Sequence, residues 1–191
     1  LFYDLYYKHV FKNKNTCSLI EQHTHDRNIT PIRIDLDFRT TIPKPSGFNS
    51  EMYNSPRLYQ IDEITGVCKL YISIIKQWYM DLTEEECTCY IMEKESSKSE
   101  EKSDKLEIKD GVHIMFPNIA VPKFIQIEIR NKAYKLADEK GIFETSLDNT
   151  YSDIFDLSII KTNGWLMYGS QKLANPDQTY KVTNIYEFNP D

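Results

Sequence analysis

Pro31-Ile32-Arg33-Ile34-Asp35-Leu36-Asp37-Phe38-Arg39 alternates apolar and charged side chains from Ile32 onward without a break. A period of two turns successive side chains to opposite faces of a pleated strand. Ile32, Ile34, Leu36 and Phe38 are therefore predicted to face a core, and Arg33, Asp35, Asp37 and Arg39 the other side. Asp35 and Asp37 then project from one face about 7 Å apart. Two carboxylates on one patch repel each other unless a cation lies between them, and hard ions such as Mg²⁺ or Mn²⁺ take such oxygen ligands. An amphipathic strand that simply carries Asp twice on its polar face reads the same way, so D-x-D alone leaves both options open.

Outward from this strand, helical and extended patterns mix. Phe2, Leu5, Tyr6, His9 and Val10 fall on one helical stripe, and Pro43, Pro45 and Gly47 mark a loop. Apolar residues at three- and four-residue steps predict a helix over 56–82, with Ser55-Pro56 at its start; Gly66 inside it leaves two shorter helices open. Residues 88–93 and 111–116 are expected to pair as an antiparallel hairpin, closed by a turn at Asp110-Gly111. Between them, residues 94–109 mix serine with both signs of charge and have little to bury, which predicts a mobile loop. Residues 122–138 fit both periods; their length and Pro122 at a first helical position favour helix. Strands are expected over 156–160, 165–168 and 180–188, with a turn at Asn163-Gly164. The whole chain, 1–191, reads as one α/β or α+β domain, and its start at Leu1 suggests a piece of a longer protein.

Composition narrows the function. Net charge is −6 over 191 residues, which argues against coating nucleic acid by bulk electrostatics but not against a local basic groove. No apolar run approaches the ~18 residues of a membrane span, and no secretory leader is visible. Eighteen Lys against five Arg, with 22 Ile, 12 Asn and four Ala, follows the AT-rich half of the codon table and speaks of the source rather than the chemistry. Four cysteines are too few and scattered for a disulfide framework, so a reducing, intracellular setting is expected. Cys87/Cys89 and His23/His25 form C-x-C and H-x-H pairs, neither of which is half of a standard structural zinc site; they read as free buried thiols and surface histidines, or as two pairs that meet in a four-ligand zinc site.

Two further clusters carry chemistry. His113 lies in an apolar strand just after Lys109-Asp110-Gly111; it is either a satisfied strand histidine or, with Lys109, a phosphate contact. Gly169-Ser170-Gln171-Lys172 offers backbone N–H groups, a hydroxyl and a cation, which suit phosphate, although an ordinary Gly-Ser turn has the same residues. Asp156 stands alone before it.

Taken in order, Ile32-Arg33-Ile34-Asp35-Leu36-Asp37, Gly111-Val112-His113 and Phe155-Asp156 resemble the three motifs of the archaeo-eukaryotic primase superfamily: an hhhDhD strand, an s-x-H strand and an h-D. The segments Ile34–Arg39, Lys109–Pro117 and Trp165–Lys172 resemble most closely the primase domains of poxvirus-type primase–helicases of large DNA viruses, with eukaryotic PrimPol proteins as more distant relatives. The resemblance spans roughly residues 2–175 and is specific as a set. It implies an α+β fold, an RRM-like antiparallel catalytic sheet with flanking helices.

It also implies template-directed nucleotidyl transfer: short primers made from NTPs or dNTPs on single-stranded DNA with Mg²⁺ or Mn²⁺. Asp35, Asp37 and Asp156 match the metal-binding catalytic triad, His113 the nucleotide-contacting histidine and Lys172 the basic residue facing the triphosphate, while Lys109 and Ser170 flank motif positions. A C-terminal helicase module in the same chain and action in the host cytoplasm follow from the same likeness. Two departures stand out. Gly111 replaces the motif serine, and no arginine stands in Asn163–Tyr168, which leaves Lys161 and Arg39 as candidates for triphosphate grip. Lys123, Arg130, Lys132 and Lys135 are candidates for template contact on the 122–138 helix, whose other reading is a solvated face. Two other functions fit less of the pattern: another D-x-D metal-dependent nucleotide-using transferase, and an inactive scaffold or single-strand-binding module.

Overall fold

A computed structural model describes residues 1–21, 29–49, 53–143, 146–162, 164–172 and 179–188. The chain starts with α1 (Phe2–Tyr7), which runs on as a π-helical turn, Lys8–Lys12, and then β1 (Ile20–Glu21). The alternating stretch becomes β2 (Ile29–Pro43), followed by α2 (Ile61–Lys76), β3 (Cys89–Glu93), β4 (Lys98–Lys102), β5 (Lys105–Pro122) and α3 (Lys123–Lys140). Two single-turn helices, α4 (Tyr151–Ile154) and α5 (Ser158–Lys161), precede β6 (Trp165–Leu166) and β7 (Lys181–Tyr186). The main sheet is antiparallel in the order β2-β5-β3-β7, with β4 also pairing with β5, and β1 with β6 forms a separate ribbon. This is the expected α+β architecture, a helix-backed antiparallel sheet.

The alternation in β2 works as read. Ile32, Ile34, Leu36 and Phe38 are buried against Ile64, Val67, Cys68, Tyr71 and Ile75 of α2 and Ile129, Ala133 and Ala137 of α3. Asp35 and Asp37 are left on the opposite face. The predicted pairing of 88–93 with 111–116 is present, with Tyr90 opposite Met115 and Met92 opposite His113. Between Pro31 and Ile32 the β2–β5 register jumps from Ala120 to Phe116. The three extra residues of β5 switch its buried set from even positions (Ile114, Phe116) to odd ones (Ile119, Val121).

Four expectations change. Residues 94–109, expected as a mobile loop, carry β4 and the start of β5. Leu106 and Ile108 are buried there, and ion pairs Lys98–Glu100, Lys109–Glu100 and Lys44–Glu101 satisfy the charges at the hairpin surface. Asp110-Gly111 is mid-strand, not a turn, because the buried Asp110 carboxylate accepts from Arg57 Nη1 (2.9 Å), Leu58 N and Gly111 N. The turn falls at Ser103-Asp104, where Ser103 has φ 57°. Residues 156–160 are not a strand: Thr150 and Asp153 form a capping box that starts a helical turn, and only Phe155 bridges to β2, opposite Leu36.

The fourth change concerns the long helix, which starts at Ile61 rather than Pro56. Gln60 and Glu63 form its capping box, with Gln60 N–H donating to Glu63 Oε2 (2.7 Å). It runs through Gly66 without a break. A Cβ at Gly66 would meet only Ile142 Cγ2, at 3.8 Å. Gly66→Ala is therefore expected to raise stability by about 0.5–1 kcal/mol in urea unfolding; a loss would mean that the helix needs the glycine. The 122–138 helix is confirmed as α3, with Pro122 as its N-cap. No helix among the described residues is long and apolar enough to cross a membrane.

Candidate active site

The open face of the β2–β5 pair brings the motif residues together. Asp35 stands opposite His113 and Asp37 opposite Gly111 across the ladder. The chain returns to the free edge of β2 at Phe155, and the Asp156 N–H donates to the Asp35 carbonyl (2.9 Å). Arg130 of α3 holds that return in place. It is 7% exposed, its Nε donates to the Phe155 carbonyl (2.8 Å), and its Nη2 donates to the Ser152 and Phe155 carbonyls. Three aspartates, two of them separated from the third by some 120 residues of sequence, thus meet on one patch.

His113 lies between two aromatic rings, with Trp165 stacked at 4.4 Å and Tyr180 at 3.5 Å between centroids. Its Nε2 is 3.5 Å from Asp35 Oδ1. Lys94 Nζ sits 4.8 Å above the Tyr180 ring, and Lys94 and Lys172 both bear electrostatically on Asp37 and His113. A Cβ on Gly111 would come within 2.9 Å of the Tyr180 hydroxyl, 3.1 Å of the Leu36 carbonyl oxygen and 3.4 Å of Asp37 Oδ1. The glycine is required here by crowding.

Burial sets the charge states. Asp35 is pushed up to about 8, first by burial and then by the charges of Asp37 and Asp156. Burial and Asp156 likewise raise Asp37. Burial and then the positive charges of Lys94 and Lys172 hold His113 well below the usual imidazole range, so its ring is neutral at pH 7. Burial also lowers Lys94, against the pull of Asp37, Asp110 and Asp35.

The donor chemistry fits a hard divalent cation. Three carboxylates converge, and the buried Asp35 Oδ1 has only loose neighbours, the His113 Nε2 at 3.5 Å and the Trp165 indole, so it keeps capacity to ligate a cation. The spacing is looser than a closed cage. The Asp156 carboxylate accepts from Ser158 N (2.9 Å) and Ser158 Oγ, and no three His, Cys, Asp or Glu side chains among the described residues are gathered tightly enough to hold an ion as they stand. Beside Asp37 and Asp156 opens a cavity of about 760 Å³, lined also by Arg39, Glu107, Arg130, Asp148, Asn149 and Asp153.

Other sequence candidates fall elsewhere. The Ser170 hydroxyl is taken by Tyr6 Oη (2.9 Å) and the Leu19 N–H, so it braces α1 rather than facing the carboxylates. Lys109 is paired with Glu100 and Glu107. Arg130, a candidate for template contact, is instead buried on backbone carbonyls, and Lys123 Nζ donates to the Lys161 carbonyl. Cys87 and Cys89 are buried free thiols, while His23 and His25 lie outside the described residues.

Sequence reading missed Lys94, Tyr180 and the stacking role of Trp165. Lys94 was legible in principle. The register Met92–His113 places residue 94, two positions on, on the same face as His113. Nothing local marked Tyr180, since its place depends on β7 pairing with β3.

A family model described as the C962R protein N-terminal AEP domain matches residues 1–186. The chain is 36% identical over 157 residues to "Putative helicase L207/L206" of Acanthamoeba polyphaga mimivirus, covering 82% of this chain and 15% of that protein. It is 25% identical over 201 residues to "Putative helicase 184R" of Invertebrate iridescent virus 6, covering 98% of this chain and 19% of that protein. The chain therefore spans less than a fifth of the length of these relatives.

Proposed function

The chain belongs to the C962R-type N-terminal AEP family of archaeo-eukaryotic primase domains, and we propose that it is a primase-polymerase catalytic domain, making short primers on single-stranded DNA from NTPs or dNTPs. The observation that carries this reading is the meeting of Asp35, Asp37 and Asp156 beside His113 and Lys172 on one sheet face. Another D-x-D transferase has no need of Asp156 and His113 at the same centre.

Asp35, Asp37 and Asp156 would hold Mg²⁺ or Mn²⁺, which when bound supplies the charge that activates a 3′-hydroxyl and offsets the pyrophosphate leaving group. The protein's own groups orient the substrate. Lys172 and Lys94 set positive charge beside the carboxylates, where a triphosphate needs it. His113, neutral and fixed between two rings, presents a hydrogen-bonding nitrogen without a charge of its own. Arg39, on the cavity side of Asp37, is placed for a second anionic contact; Lys161 lies further along the same segment. The relatives' greater length and helicase names support a helicase module in the full-length protein and a role in viral DNA replication inside the host cell, with the host cytoplasm as the proposed site.

The test is primer synthesis on single-stranded DNA with labelled nucleotides and Mn²⁺ or Mg²⁺. Wild type is run beside Asp35→Ala/Asp37→Ala and Asp156→Ala. Metal-dependent products from wild type alone are the expected result. Equal products from the variants would overturn the site. No product and no metal-dependent nucleotide binding would favour the inactive scaffold.

A further inference from the structure

The hydroxyls around the carboxylates are not equivalent. Ser158 Oγ is spent on Asp156 and Ser170 Oγ on Tyr6 and Leu19. Tyr180 differs. Among the described residues nothing hydrogen-bonds its hydroxyl, while its ring packs on His113 at 3.5 Å and under Lys94 Nζ at 4.8 Å. The hydroxyl lies over Gly111, 2.9 Å from where a Cβ would stand, and that same point is 3.4 Å from Asp37 Oδ1. Any side chain at 111 would occupy the space the phenol oxygen uses. Glycine at 111 and tyrosine at 180 are therefore one arrangement: the first makes the space and the second fills it with a donor.

We propose that Tyr180 is a substrate-binding residue, its hydroxyl donating to a phosphate oxygen of the nucleotide held between Lys94, Lys172 and the carboxylates. This rests on the nucleotide-transfer reading. The ligand class follows from the surroundings: two ammonium groups, a neutral imidazole and a free O–H donor converge on one side of the carboxylates, a set that suits a polyphosphate carrying a divalent cation. Burial raises the phenol's pKa, so the hydroxyl keeps its proton and remains a donor across the working range.

The test moves the hydroxyl from one strand to the other. Tyr180→Phe keeps the ring stacked on His113 and removes only the oxygen. Gly111→Ser alone sets a side chain against the Tyr180 hydroxyl, whereas Gly111→Ser with Tyr180→Phe returns a hydroxyl to nearly the same point. Binding of a fluorescent, non-hydrolysable dATP analogue with Mn²⁺ is measured on the 191-residue chain, alongside Tm and KM and kcat for primer extension.

Tyr180→Phe is expected to weaken nucleotide binding and raise KM about tenfold with kcat nearly unchanged, since one hydrogen bond to a charged group is worth about that much. Gly111→Ser is expected to lose at least as much, and the double variant to recover most of the loss, a non-additivity that independent sites do not show. Wild-type nucleotide affinity in Tyr180→Phe would overturn the proposal, as would additive losses in a double variant whose Tm matches wild type, so that the serine Cβ beside the Leu36 carbonyl has not distorted the strand. If wild type binds the analogue but extends no primer, the primase reading fails while the binding cycle still decides the role of Tyr180.

Discussion

Replacing Asp35 by asparagine is expected to stabilise the protein and, in the same step, to slow nucleotide transfer about a thousandfold. The two effects share one cause. Asp35 is held at about 8 by burial and by Asp37 and Asp156, against about 3.9 in an unfolded chain. Between those values the folded state keeps a proton that the unfolded state has released. The contribution of Asp35 to stability is thus fully present below about pH 4 and is lost as pH rises through 8. The loss accumulates at up to ~1.4 kcal/mol per pH unit, which over pH 5 to 8 corresponds to a Tm difference of up to about 15 °C for a chain of this size.

The amide of Asp35→Asn has no such proton to lose, so the gap in Tm between that variant and wild type should widen with pH. Added Mn²⁺ should narrow it by stabilising wild type at pH 8, and do little at pH 5, where a proton competes. The lost transfer reflects the several kcal/mol that a correctly held cation contributes to the transition state. A gap in Tm that does not change with pH, or transfer that survives in Asp35→Asn, would remove Asp35 from the site.

Arg130→Met should be the most damaging change outside the carboxylates, costing about 3 kcal/mol in urea unfolding. The guanidinium reaches from α3 to the carbonyls of Ser152 and Phe155 and lies over the Tyr134 ring at 4.8 Å. Without it the buried Phe155 carbonyl loses its donor, at about 1–3 kcal/mol, and the part-buried Ser152 carbonyl loses a bond worth about 1 kcal/mol. The residue after Phe155 is Asp156, so transfer measured well below the variant's Tm should also fall. Arg130→Lys keeps the charge but not the fork, and should recover less than half of either loss. A cost under about 1 kcal/mol would mean that the 155–156 return is held by its bonds to β2 alone.

Period-two alternation made β2 legible because one face packs on helices and the other does not, and the pairing of 88–93 with 111–116, though not its register, followed from two short apolar runs. The charged stretch 94–109 misled for a physical reason. Leu106 and Ile108 are only two apolar residues, but they extend a face already formed by Ile114 and Val112, and cross-strand ion pairs accommodate the rest. Asp110-Gly111 looked like a turn because the partner of the buried Asp110, Arg57, is distant in sequence. The motif likeness named the aspartates, His113 and Lys172 as one set, and the fold brings them near one another. Ser170 was misjudged because Tyr6, 164 residues away, takes its hydroxyl. Tyr180 was missed because a glycine gives no sign of what fills the space above it.

The two walls of the site hang on ladders of very different length. Asp35 and Asp37 ride on a pairing that runs from Ile29 to Pro43. Trp165 sits on a two-residue ribbon with Ile20 and Glu21, and Tyr180 leads into an exposed edge strand. In hydrogen exchange the β2 amides bonded to β5 should open only with the whole molecule, and those of β6 and β7 by local fluctuation at much lower cost. The rings over His113 can then swing away on a microsecond-to-millisecond timescale while the carboxylates keep their spacing, so that a nucleotide enters past moving aromatics onto a wall that stays still.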